Sequence, residues 1–295
     1  MSTATNLPVS LYFDGFGEKS HPAIVLLPGL GSQSISWSPR FCLRLADAGF
    51  YILRVDNRDC GLSPVLSLAG EPDLQALSRG QSISVAYTLR EMAADVALTL
   101  ENAGIKATHI VGRSMGGMVA QLFAAQYPHK TLSLCAIMSS TGNPRLPPPA
   151  ADVMAMLLGP KPDPHARQSA WLEQQLAFFR RIASTHLPFD AEYYSTLLKT
   201  SLARASSASG TLRQIAAMAA TGDLRNEIKQ ITAPTLVIHG SDDPLFPVEA
   251  GKEIGQTIPG AKLQIIEGMG HEMPPALEAE IAALLLAHFN TSLKK

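Results

Sequence analysis

Short apolar runs alternate with stretches of helical periodicity over the first 140 residues. Residues 23–27, 50–55, 109–111 and 132–138 are rich in β-formers and almost continuously hydrophobic. Such runs predict strands buried on both faces. Residues 39–48, 87–103 and 115–126 instead space their apolar positions three and four apart, which predicts helices. Strands separated by helices make a parallel sheet the expected core. An earlier run, 9–16, is predicted as an edge strand.

The alternation stops at Thr141. The stretch Gly142-Asn143-Pro144-Arg145-Leu146-Pro147-Pro148-Pro149 can continue neither a strand nor a helix. Helical patterns without strong strands follow at 150–158, 168–185, 191–203 and 209–221. Strand and helix then alternate again through 235–239, 249–256, 262–266 and 276–289. The expected organisation is an α/β core built from residues 1–141 and 222–295. Residues 142–221 are read as a helical cap inserted into it, lying over the crevice where such sheets bind ligands. No internal repeat is present.

Composition narrows the function. A chain of 295 residues that is 46% hydrophobic can bury a core without a staple. A formal net charge of −1 gives no long-range attraction to nucleic acid or an anionic membrane, and suits a neutral small-molecule substrate. Cys42, Cys60 and Cys135 are odd in number, far apart and outside any zinc-type spacing, so they are read as reduced thiols. The polar N-terminus does not resemble a secretory leader, and no apolar run approaches the roughly 18 residues of a membrane span. A cytoplasmic protein is expected.

The chemistry concentrates in Val111-Gly112-Arg113-Ser114-Met115-Gly116-Gly117. A G-x-S-x-G turn between an apolar strand and an amphipathic helix is the context of a nucleophile elbow. Cβ atoms at Gly112 and Gly116 are expected to clash in so tight a turn. Ser114 is the candidate nucleophile, and a serine hydroxyl needs an adjacent base. Among eight histidines, His271 in Gly268-Met269-Gly270-His271-Glu272 follows the last predicted strand and is flanked by glycines. His239 ends a strand and is read as buried beneath the site. His21, His109 and His129 are read as loop or strand-edge positions, His165 and His186 as cap residues, and His288 as part of the last helix.

The strand 235–239 is followed by Gly240-Ser241-Asp242-Asp243-Pro244. Asp243 is preferred over Asp242 as the acid, since the turn into Pro244 aims it at His271. The order Ser, Asp, His fits this sheet architecture. Two backbone N–H groups must face the oxyanion. Met115, just after the nucleophile, is expected to supply one, and Leu30, between Gly29 and Gly31, the other.

Together these segments resemble the α/β-hydrolase superfamily along nearly the whole chain. The stretch Asp56-Asn57-Arg58-Asp59-Cys60-Gly61-Leu62-Ser63 is similar to the D-x-R-G-x-G-x-S turn of that superfamily, with Asp59 in place of the first glycine. In this D-x-R-D form it resembles the aclacinomycin methylesterase-like carboxylesterases. Asp56 and Arg58 are read as tying loops together. The resemblance implies an α/β-hydrolase fold with a mostly parallel sheet, an inserted cap, a serine carboxylesterase activity through Ser114, His271 and Asp243, and no cofactor or metal.

The insertion is rich in large apolar residues, which suggests esters of small to medium size. Leu30, Trp37, Met115, Phe178, Phe179 and Met273 are the candidate substrate contacts. Arg113 is an unusual charge inside the elbow, read as pairing with an acid or reaching the pocket. The same triad could also serve a lactonase, an amide hydrolase, a perhydrolase or a carbon–carbon bond hydrolase. A ligand receptor on a hydrolase scaffold is the alternative outside enzymes. The oligomeric state is left open, with the apolar insertion as one surface for a homodimer.

Overall fold

The computed structural model of the protein describes residues 7–292 apart from Gly80, Ser82 and Ser206. Among the described residues the sheet has seven strands: β1 Phe13–Phe16, β2 Ala23–Leu27, β3 Tyr51–Val55, β4 Thr108–Arg113, β5 Thr131–Ile137, β6 Thr235–Gly240 and β7 Lys262–Ile266. Their order is β1-β3-β2-β4-β5-β6-β7. Only β1 runs antiparallel, against β3. The chain steps from β2 to β3 on one side and then to β4 on the other. That reversal opens a crevice at the C-terminal ends of β2 and β4.

The strands read as continuous apolar runs because each face of the sheet has its own core. Successive side chains point to opposite faces. Val25 and Leu27, Leu53 and Val55, Ile110, Leu134 and Val237 pack with helices Leu89–Asn102, Met115–Gln126 and Val248–Thr257. Ile24 and Leu26, Ile52, Val111, Cys135, Ile137, Leu236 and Ile238 pack with helices Pro39–Ala46 and Glu278–Ser292. Each fully buried side chain of this kind stabilises the fold by about 1.5–3 kcal/mol.

Helix starts carry local signals. Thr88 and Glu91 form a reciprocal capping box at Leu89–Asn102, and the Ser38 side chain accepts the Phe41 N–H ahead of Pro39–Ala46. At the N-terminus the predicted strand 9–16 shrinks to Phe13–Phe16. The N–H groups of Val9 and Leu11 donate to the Asp95 and Thr99 side chains at 2.7 and 2.9 Å, so they take no part in a ladder. His109, read as an edge position, lies instead in the buried centre of β4 against Phe50 and Phe289.

After β5 come helices Ala151–Leu158, Gln168–Ile182, Ala191–Arg204 and Ala208–Thr221. The last of these reaches into the core. Its buried Arg213 forms a two-pronged pair with Asp59, at 2.8 and 2.7 Å. Tyr87 donates its hydroxyl to the same carboxylate at 2.8 Å. Asp59 stands at φ 65, where the superfamily turn has glycine, and the three contacts hold it there.

Arg58 lies entirely buried against Asp95, its Nε donating to Oδ2 at 2.5 Å and its Nη2 to Oδ1. Removing one partner of such a pair leaves an uncompensated charge. Arg58→Ala is therefore expected to lower the unfolding free energy by about 3–5 kcal/mol. Urea denaturation checks this, and the double variant Arg58→Met/Asp95→Leu should recover much of the loss.

Candidate active site

Strand β4 ends at Arg113 and its helix begins at Met115, so Ser114 alone turns the chain, at φ 55 and ψ −124. A side-chain-bearing residue in that conformation costs about 1–3 kcal/mol, which the surroundings must offset. The Ser114 N–H donates to the Ile137 carbonyl at 2.9 Å. Its own carbonyl accepts from the Gly117 N–H and the Ser139 hydroxyl, both at 2.9 Å. A Cβ at Gly112 would stand 2.1 Å from the Gly116 carbonyl oxygen, and one at Gly116 would stand 2.4 Å from that of Pro28. Both obstacles are backbone. The two glycines are steric requirements of the elbow.

His271 Nε2 lies 2.9 Å from Ser114 Oγ, and Nδ1 lies 2.7 Å from Asp243 Oδ2. A carboxylate only accepts, so the Nδ1–H donates to it and Nε2 is left to accept from the serine. The other Asp243 oxygen accepts from the Leu245 and Phe246 N–H groups, both at 2.8 Å. Asp243 and His271 are buried, and the ring of Phe246 meets the imidazole edge-on at 5.3 Å. Asp242 turns away to Ser241 and Thr185. The fully buried His239 sits beneath, its Nε2 at 2.7 Å from the Phe246 carbonyl and 3.6 Å from Asp243. Burial pushes the His239 pKa down against the pull of Asp243, which favours a neutral ring there.

The loop after β2 runs over the nucleophile: a Cβ at Gly29 would lie 3.3 Å from that of Ser114. Among the described residues neither the Leu30 N–H nor the Met115 N–H has an acceptor. Both are free to meet an oxyanion. The loop is clamped from behind, since the Gly31 N–H donates to Gln214 Oε1 at 2.9 Å while Gln214 Nε2 donates to the Arg58 carbonyl at 2.8 Å. Asn57 Nδ2 donates to the Pro28 carbonyl at 3.1 Å. The Asp56–Ser63 turn thus supports the site from below. Gln214 escaped the sequence reading because a glutamine inside a helix carries the pattern of a surface residue.

Arg113 finds no acid within 4.0 Å among the described residues. Its Nη2 donates to the Ser36 carbonyl at 3.0 Å and its guanidinium lies 4.8 Å from the Trp37 ring centre. Burial pushes its pKa down, although an arginine stays charged. Trp37 is fully buried, packed against Phe41 as well as Arg113. Met115 and Met273 are buried in the cores of opposite sheet faces. Leu30 is half-buried at the edge of the first. Phe178 and Phe179 are half-buried on helix Gln168–Ile182, and Phe179 stacks on Tyr194 at 4.8 Å.

Burial pushes the Cys42 and Cys60 thiols up to about 12 and raises Cys135 as well, so none competes as a nucleophile. Among the described residues no group of three or more His, Cys, Asp or Glu side chains is gathered as metal ligands are. No described helix is long and apolar enough to cross a membrane.

The sheet order and the elbow bring a serine, a histidine and an aspartate into one hydrogen-bonded chain. The chain belongs to the α/β hydrolase fold family, whose model matches residues 22–274. It is similar to rhodomycin D methylesterase of Streptomyces peucetius, with 27% identity over 96% of this chain and 96% of that protein. A 2-hydroxy-6-oxononadienedioate/2-hydroxy-6-oxononatrienedioate hydrolase of Paraburkholderia phymatum is 28% identical over 90% of this chain and 85% of its own. Among solved structures, an esterase from Exiguobacterium antarcticum superposes with a TM-score of 0.72 at 18% identity, covering 95% of each chain.

Gly116→Ala should wreck the elbow, because the carbonyls at 2.4 and 2.5 Å from the new Cβ belong to residues 27 and 28, at the end of a central strand. A lowered thermal midpoint together with loss of Ser114 labelling by a fluorophosphonate is the expected result. The three thiols should resist iodoacetamide at pH 8 in the native protein and react only after denaturation, as mass spectrometry would read.

Proposed function

We propose that the protein is a serine carboxylesterase that hydrolyses small to medium esters through an acyl-enzyme on Ser114. The observation that carries this reading is the continuous hydrogen-bond chain from Ser114 Oγ through His271 to Asp243, at 2.9 and 2.7 Å. Membership of the hydrolase family supports it. So does the similarity, over 95% or more of the chain, to two rhodomycin D methylesterases.

In this reading Ser114 Oγ attacks the ester carbonyl as His271 Nε2 takes its proton. The Leu30 and Met115 N–H groups receive the oxyanion, and the start of helix Met115–Gln126 adds a favourable dipole. Asp243 stabilises the imidazolium, which then gives its proton to the leaving alcohol. Water activated by the same histidine hydrolyses the acyl-enzyme and returns Ser114. The neutral, buried His239 leaves the Asp243 charge to His271. The chemistry needs no cofactor.

The helices between residues 142 and 221 act as a cap over the reacting atoms, supported by contacts of residues 182–185 with the His271 loop. Leu30, Met115, Phe178, Phe179 and Met273 shape the acyl and alcohol sites, with Trp37 behind them as the platform for Arg113. A cytoplasmic location is supported by three buried, unpaired cysteines.

Purified protein should hydrolyse p-nitrophenyl acetate and butyrate well, octanoate less and palmitate little. Ser114→Ala should fall to background on all of them. Activity that survives in the variant would overturn the assignment of the nucleophile.

A further inference from the structure

The loop carrying His271 is gripped from two sides. On the core side, the Met269 carbonyl accepts the Asp242 N–H at 3.1 Å and the Gly268 N–H donates to Ser241 Oγ at 2.7 Å. On the other side stands the segment that follows helix Gln168–Ile182. The His271 N–H donates to the Ile182 carbonyl at 2.8 Å. The Gly268 carbonyl accepts the Thr185 N–H at 2.9 Å and the Ser184 hydroxyl at 2.6 Å. A Cβ at Gly270 would lie 2.3 Å from the Ile182 oxygen, so the two backbones are in direct contact.

Glu272, the next residue, commits its whole carboxyl to that second grip. Ser184 N–H donates to Oε1 at 3.3 Å, and the Tyr194 hydroxyl donates to Oε2. The carboxyl is buried and no cation lies within 4.0 Å of it among the described residues. Burial pushes its pKa up to about 7, against the Ser184 N–H and the more distant charge of Arg113. A buried carboxyl without an ion-pair partner is a costly choice for mere packing. The hydroxyl that meets it is itself fixed, since the Tyr194 ring stacks on Phe179 at 4.8 Å and on Phe189 at 5.1 Å.

We infer that Glu272 is a positioning residue, which through Ser184 and Tyr194 ties the orientation of His271 to the seating of helices Gln168–Ile182 and Ala191–Arg204. The inference rests on Ser114, His271 and Asp243 being the reacting groups. Fixing the His271 N–H and the next side chain leaves the imidazole little freedom to swing from the 2.9 Å contact with Ser114. Misplacement of a reacting group by about 1 Å costs up to roughly a hundredfold in rate. The histidine is thus aligned only while the helices are seated.

The test compares wild type, Glu272→Ala, Glu272→Gln and Tyr194→Phe by p-nitrophenyl acetate kinetics and by the rate of fluorophosphonate labelling at Ser114. Glu272→Ala should lower kcat by about 10- to 100-fold while KM moves less than about threefold. Labelling should slow in step. Glu272→Gln, whose amide can still pair with the Tyr194 hydroxyl, should recover most of the rate. Tyr194→Phe keeps the aromatic stack and should lose part of kcat.

Wild-type kcat and labelling in Glu272→Ala would overturn the inference, as would a loss confined to KM, the mark of a substrate contact. Wild-type kcat in Tyr194→Phe would overturn the tie to the helices. If Glu272→Ala fails to fold, Tyr194→Phe decides, with a partial loss of kcat and of labelling rate expected and wild-type values overturning the inference. If wild type is labelled at Ser114 yet hydrolyses no ester, the esterase reading fails by itself, and the labelling rates still decide the role of Glu272.

Discussion

Everything at the site depends on one backbone conformation, the left-handed turn at Ser114. A strand in the middle of the sheet must become a helix within a single residue, and the reversal lifts the hydroxyl clear of both. The turn closes only because nothing projects from Gly112, which stands against the backbone of Gly116, or from Gly116, which stands against that of residues 27 and 28. Its strain is offset by hydrogen bonds from β5 and by the packed sheet on either side. Strain held by an over-determined scaffold is a common device for presenting a reactive group.

The groups around Ser114 arrive from separate elements, and each is also fixed by contacts outside the hydrogen-bonded chain of Ser114, His271 and Asp243. Asp243 is held by two N–H groups of its own loop, which His239 secures from beneath through the Phe246 carbonyl. The loop after β2 is clamped by Gln214 and Asn57. His271 depends on the core from one side and on residues 182–185 from the other. Pre-arranged donors and acceptors of this kind need no reorganisation when charge develops. The charged turn Asp56–Asp59 is the deeper support, each of its charges answered by one of opposite sign: Asp56 by Arg204, Arg58 by Asp95, Asp59 by Arg213.

Family membership fixes less than the geometry does about chemistry, and neither names the ester. The fold hosts many reactions, so a substrate must be argued from the site. Relatives similar over most of the chain include methylesterases and a 2-hydroxy-6-oxononadienedioate hydrolase, and solved structures that superpose on it include an enol-lactonase from Burkholderia xenovorans. Arg113, stacked on Trp37, is an unusual half-buried charge beside the elbow.

By itself the sequence determined most of the strands and longer helices and marked the glycine-rich turns. Periodicity and glycine placement are local properties: the bounds of β2, β7 and helix Met115–Gln126 were legible to the residue, and Ser114, His271 and Asp243 stood out by strand context. What it could not give were contacts between residues far apart in the chain. Val9 and Leu11 looked like a strand until Asp95 and Thr99 claimed their donors. Gln214 and Tyr194 carry no local mark of their contacts, because those contacts exist only where the helix Ala208–Thr221 meets the loop after β2 and where Tyr194 meets Glu272. A pattern along the chain encodes which face is buried; only the folded backbone decides which buried polar groups meet.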